Sequence, residues 1–152
     1  ETGLMEELCC QHFADLKEFS THVSSNWHAL PKALRLPVGE MFPRAANIQI
    51  SALFVAESGA KFRNLDVVLL GGARRRQCGE VWYLICVGGA YWTCLSMWDF
   101  KRADGRYAKY KRAEKPTVVL SSDLLAHGIW RPGADGAATV IWPLHYMLAC
   151  GL

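Results

Sequence analysis

The tract from Glu80 to Trp98 constrains the fold most, because two apolar, β-prone runs, 80–87 and 90–98, are separated by Gly88-Gly89 alone. A type I′ hairpin needs positive φ at both central residues, and glycine supplies it without steric cost. The register follows: Val87 faces Ala90, Cys86 faces Tyr91 and Tyr83 faces Cys94. Cys86 and Cys94 then point to opposite faces of a hairpin that is apolar, and so buried, on both sides.

That register bears on all six cysteines. Cys78 precedes Cys86 by about 27 Å of extended strand, far beyond disulfide reach. Cys78, Cys86 and Cys94 therefore cannot pair among themselves, and any disulfide from them must go to Cys9, Cys10 or Cys150. The simpler expectation is that most are small core residues with free thiols.

Asp104-Gly105 gives a second turn signal, folding the segment that starts near Trp98 back through Arg106 to Arg112. Residues 80–112 read as a three-stranded antiparallel meander. With Asp104 and Gly105 in the turn, Trp98, Phe100 and Arg102 share one face with Tyr107, Lys109 and Lys111. Three aromatics interleaved with three cations suit a protein interface, and they suit base stacking beside a phosphate backbone equally well. The plainer alternative makes Trp98 and Phe100 core residues, with Lys109 and Lys111 solvating the outer end.

Before the hairpins, apolar residues recur at helical spacing from Leu4 to Phe19, with Glu6, Glu7, Asp15 and Lys17 on the other side. A short helix over 25–30 ends at Pro31. Alternation from Asn47 to Phe54 predicts a strand, Leu65–Leu70 another, and Thr117–Leu120 a third. Ser122 caps a helical turn through His127, residues 131–136 form a loop, and 139–150 form a closing strand interrupted at Pro143. The fold class expected is α+β: N-terminal amphipathic helices packed on a mainly antiparallel sheet that contains the meander.

The chain has 152 residues, a single domain's length, and no linker or repeat divides it. Glu1-Thr2-Gly3 resembles the remnant of a secretion vector, so the domain is taken as 4–152 and secretory expression is suggested by those residues only. Asn26, Asn47 and Asn64 all lack the hydroxyl residue of a glycosylation acceptor. No apolar run approaches the roughly 20 residues that span a bilayer. A net charge of +3 is too small to imply nucleic-acid binding by itself.

No cofactor or metal is expected. A P-loop and a dinucleotide fingerprint are both absent, and Cys9-Cys10-x-His12 is too compressed for a zinc site. His127-Gly128-Ile129-Trp130 resembles the His-Gly-[Leu/Ile]-Trp box of T2-type ribonucleases over four residues, without a second histidine box. The leading expectation is a noncatalytic domain that binds a protein partner through Arg102, Tyr107, Lys109 and Lys111, helped by Arg74, Arg75 and Arg76. An RNA- or single-strand-binding module would use the same face. A third reading is a cysteine hydrolase, drawing on Cys86, Cys94 or Cys150 with His127 or His145 and with Asp123 one turn before His127.

Overall fold

A computed structural model describes residues 21–24, 39, 41–42, 48–51, 53–87 and 89–152. In chain order the first strands are β1 (Thr21–Ser24), β2 (Ile48–Ser51), β3 (Leu53–Val55), β4 (Lys61–Arg63) and β5 (Val67–Leu70). They are followed by β6 (Cys78–Val87), β7 (Ala90–Met97), β8 (Asp99–Asp104), β9 (Tyr107–Lys111) and β10 (Pro116–Leu120). The last are β11 (Leu124–His127), β12 (Ile129–Pro132) and β13 (Ala137–Ile141), before a helix α1 (Leu144–Cys150).

These strands make a seven-stranded, a four-stranded and a two-stranded sheet, with antiparallel pairing throughout. The α+β expectation is overturned. The described chain is mostly β, and an α-helix lies at the C-terminal end, where a strand was expected. Pro143 does not interrupt a strand. It stands at the helix N-cap position, where its missing N–H costs nothing, and Gly151 at φ 67° closes the other end while Leu152 N–H bonds to Met147 O. The helices expected over 4–19 and 25–30 lie outside the described residues, as do Cys9, Cys10 and His12. Thr21–Ser24, between those two expected helices, forms β1 on the edge of the large sheet.

The glycine hairpin forms in the expected register, with Val87 opposite Ala90, Cys86 opposite Tyr91 and Tyr83 opposite Cys94. Its two faces serve different cores. Leu84, Cys86, Tyr91 and Leu95 join Phe54, Phe62, Val68 and Leu70 in one cluster, whereas Ile85 and Cys94 join Val118 in another.

β10 and β11 lie at opposite ends of the path β10-β7-β6-β5-β11, yet residues 121–123 alone join them. Those residues reach about 14 Å at most, while crossing a flat five-stranded sheet takes about 19 Å. The sheet therefore curls around the first cluster. A buried hydrogen bond between Thr93 Oγ1 and Ser121 Oγ, 2.8 Å, pins the closing turn.

The expected meander is two hairpins on two sheets. β6 and β7 belong to the large sheet, whereas β8 and β9 belong to the four-stranded sheet, ordered β12-β13-β9-β8. The chain changes sheet at Trp98, whose N–H bonds to Cys78 O. Between the sheets lies the cluster of Val67, Leu69, Cys78, Trp98, Ala108, Tyr110, Val140, Trp142 and Tyr146. β5 sends Val67 and Leu69 into this cluster and Val68 and Leu70 into the first, which explains its unbroken apolar run.

Three more local expectations change. The strand expected over 47–54 is divided between β2 and β3, which lie in different sheets. The helical turn after Ser122 is a single 3-10 turn, Ser121–Asp123, continuing as β11. The segment read as a loop from Arg131 begins inside β12, which pairs with β13 from Ile129↔Ile141 to Pro132↔Ala138. No helix among the described residues is long and apolar enough to cross a membrane.

Candidate partner-binding face

A half-buried sheet alternates its side chains, so the inner and outer sets of the four-stranded sheet can be read from its register. Inward go Ala108, Tyr110, Ala138 and Val140, all buried. Outward, one row across the strands holds Ile129, Ile141, Tyr107 and Asp104, and the next holds Arg131, Thr139, Lys109 and Arg102. A third row holds Ala137, Lys111 and Asp99. Tyr107 is 55% exposed and Ile129 67%, so the first row offers apolar surface to solvent.

Thus Arg102, Tyr107, Lys109 and Lys111 do share a face, as expected, but Trp98 and Phe100 do not join them. The turn residues are Gly105 and Arg106, because Asp104 pairs with Tyr107. Gly105 has φ +60° at the first turn position, the place where a type II′ turn takes glycine. That change moves each partner by two residues and leaves the faces unaltered. The bulge does the sorting: Lys101 has no partner between Phe100↔Tyr110 and Arg102↔Lys109, and one extra residue turns Phe100 to the inner side. Phe100 meets the Tyr110 ring edge-on at 5.4 Å and stacks on Trp142 at 6.1 Å. Trp98 is 6% exposed and packs edge-on against Trp130 at 5.1 Å.

The arginine triplet is elsewhere. Arg76, with φ +72°, is held by its own peptide: its N–H donates to Tyr146 Oη at 2.9 Å, and the Tyr110 hydroxyl donates to its carbonyl. Tyr110 reaches it from the inner side of β9, so Arg74, Arg75 and Arg76 lie behind the sheet that carries Tyr107 and Lys109. The triplet and the hairpin cations are two patches on opposite sides.

Charge on the outer face is uneven. The middle row has Arg131, Lys109 and Arg102 and no acid, and Lys109 Nζ is steadied by donating to Thr139 Oγ1 at 2.8 Å. In the third row Asp99 accepts from Lys115 Nζ. That hydrogen bond, with the fields of Lys115, Lys101 and Lys111, holds the Asp99 carboxyl below its usual range. An open groove of about 310 Å³ lies over the first two rows, lined by Tyr107, Ile129, Trp130, Arg131, Thr139 and Ile141. Five of these, Ile129, Trp130, Arg131, Thr139 and Ile141, were missed as binding residues by sequence reasoning. Their signal was the two-residue alternation on either side of Pro132-Gly133, obscured because each strand is so short.

The cysteine constellation looks different in three dimensions. His127 Nε2 lies 3.1 Å from Asp66 Oδ2, and its ring stacks on Phe62 at 4.6 Å. His127 thus has Asp66, not Asp123, as its acidic neighbour. Cys78, Cys94 and Cys150 carry free thiols. Burial pushes the Cys94 thiol up to about 12 and raises that of Cys78 further, so both are held as neutral, weakly nucleophilic groups at neutral pH. Both should react slowly with a thiol reagent at pH 7 and quickly after unfolding. Fast labelling of Cys94 in the folded protein, located by peptide mass, would restore the nucleophile reading. Among the described residues no group of three His, Cys, Asp or Glu side chains could hold a metal ion.

Compared with protein-family models, curated protein sequences and solved structures, the chain gives no significant match to any.

Proposed function

We propose that this is a noncatalytic interaction domain that binds a protein partner on the outer face of its four-stranded sheet. The observation that carries the reading is the adjacency of an apolar row, exposed at Ile129 and Tyr107 and half-buried at Ile141, to a row of three cations with no acid among them. Aromatic and arginine side chains around a dry centre are the composition of interface hot spots. The bulge weakens the nucleic-acid alternative. By register Tyr107 is the one aromatic of these four strands in the outer rows, with Trp130 reaching the groove from the inner set, whereas single-strand binders stack successive bases on several rings.

Affinity capture from lysate and medium, with wild type beside Tyr107→Ala/Lys109→Ala, tests this. Both side chains lie on the outer face and neither ranks among the buried core residues, so the thermal midpoint should stay close to wild type. Affinity for the captured protein should fall at least about tenfold. Undiminished binding would sink the reading, and so would loss of the folded state. Recovery of nucleic acid, with binding that collapses as salt rises, would favour the alternative.

A further inference from the structure

If the outer face is the docking face, its rows also specify what docks. We infer that the partner presents an extended segment in which a large apolar side chain and a carboxylate stand two residues apart.

The argument starts from spacing. Successive outward residues on one strand, such as Tyr107, Lys109 and Lys111, are separated by roughly 7 Å. An extended peptide repeats its own side chains on one side at the same interval. Laid along the strands, it places residues i and i+2 over adjacent rows, while i+1 points away. The row of Ile129, Ile141 and Tyr107 takes an apolar residue. The row of Arg131, Lys109 and Arg102 takes an acidic one.

Size and charge agree with this occupant. A groove of about 310 Å³ sits at the small end of ligand cavities, roughly 300–1,000 Å³, and fits one bulky side chain together with its backbone. Arg131 and Thr139 line the same groove as Tyr107, Ile129 and Ile141, so the apolar and cationic subsites are contiguous. Charge falls off on either side of the middle row: Asp104 closes the first row, and in the third row the Asp99–Lys115 pair leaves Lys111 as the net charge. A carboxylate is therefore bound most strongly over the middle row. The rows fix the spacing of the two side chains in whichever direction the peptide runs.

Three synthetic peptides of equal length test the inference by fluorescence anisotropy on the whole chain. The first has Leu and Glu two residues apart in a Ser/Gly background, the second has them adjacent, and the third has Lys in place of Glu at the two-residue spacing. The first should bind about tenfold more tightly than the second, one charge-assisted contact being at stake. Arg131 is exposed, so Arg131→Glu keeps the fold and, with Lys109 and Arg102 still in the row, should shrink the preference for the Glu peptide over the Lys peptide without reversing it.

Equal affinity for the first two peptides, or failure of all three to bind, overturns the spacing rule. The docking reading is judged separately by the captured protein. If that protein still depends on Tyr107 and Lys109, the face is right and the segment wrong. If it does not, both fall.

Discussion

Tyr146→Ala is expected to destabilise the chain by about 3–5 kcal/mol, the range for deleting a buried aromatic ring. Tyr146 is fully buried on α1 and faces Trp142, with ring centres 6.2 Å apart. Its hydroxyl does more than fill space. It donates to Leu70 O, beside the arginine loop, and accepts from Arg76 N–H within it. Tyr146→Phe keeps the ring and isolates the second effect: leaving those two backbone groups without partners should cost about 1–3 kcal/mol. Burial also raises the pKa of this phenol, so it remains a donor across the ordinary pH range. Urea unfolding of the three proteins measures both differences. A Phe variant as stable as wild type would mean that the loop is held by other contacts.

The second large effect is expected at Gly79, which pairs with Val68 on one side and Met97 on the other. A Cβ there would lie 2.6 Å from Ser96 O, 2.8 Å from Leu95 Cδ1 and 3.3 Å from Met97 Cα. Two of those three contacts are backbone, which cannot swing aside as a side chain can. Gly79→Val should therefore sit at or above the upper end of the roughly 1–3 kcal/mol that overpacking costs. The position matters because the chain leaves the large sheet just beyond Met97. Forcing β6 from β7 there would also displace Trp98, whose N–H is bonded to Cys78 O. A thermal midpoint within a degree or two of wild type would show that the strands give way more easily than the close approach implies.

The first hairpin was legible because its signals are local: two glycines fix the turn, and alternation then fixes the register. The bulge at Lys101 was not legible, since a single unpaired residue leaves no mark in a charged strand. Its consequence is large, because it alone sends Phe100 to the inner side while Arg102 stays outside. The sheet crossing at Trp98 was hidden for another reason. β7 and β8 are contiguous in sequence, and nothing in the pattern shows that β8 pairs with β9, and β9 in turn with β13, in a separate sheet.

The C-terminal helix was mistaken for a strand because Val140, Ile141 and Trp142 run apolar into Leu144, and Pro143 reads equally as strand breaker or helix starter. Most of the cationic half of the candidate face, Arg102, Lys109 and Lys111, was visible in the sequence, but Arg131 on β12 was not. The apolar half, Ile129 and Ile141, is assembled by pairing with β13, a non-local contact that alternation over four or five residues cannot announce.

Hydrogen–deuterium exchange of the captured complex tests the central claim most directly. Docking on the outer face predicts new protection in the segments spanning β9, β12 and β13, with the 72–77 loop unchanged. Protection confined to the arginine loop, or absent from all three strands, would contradict it.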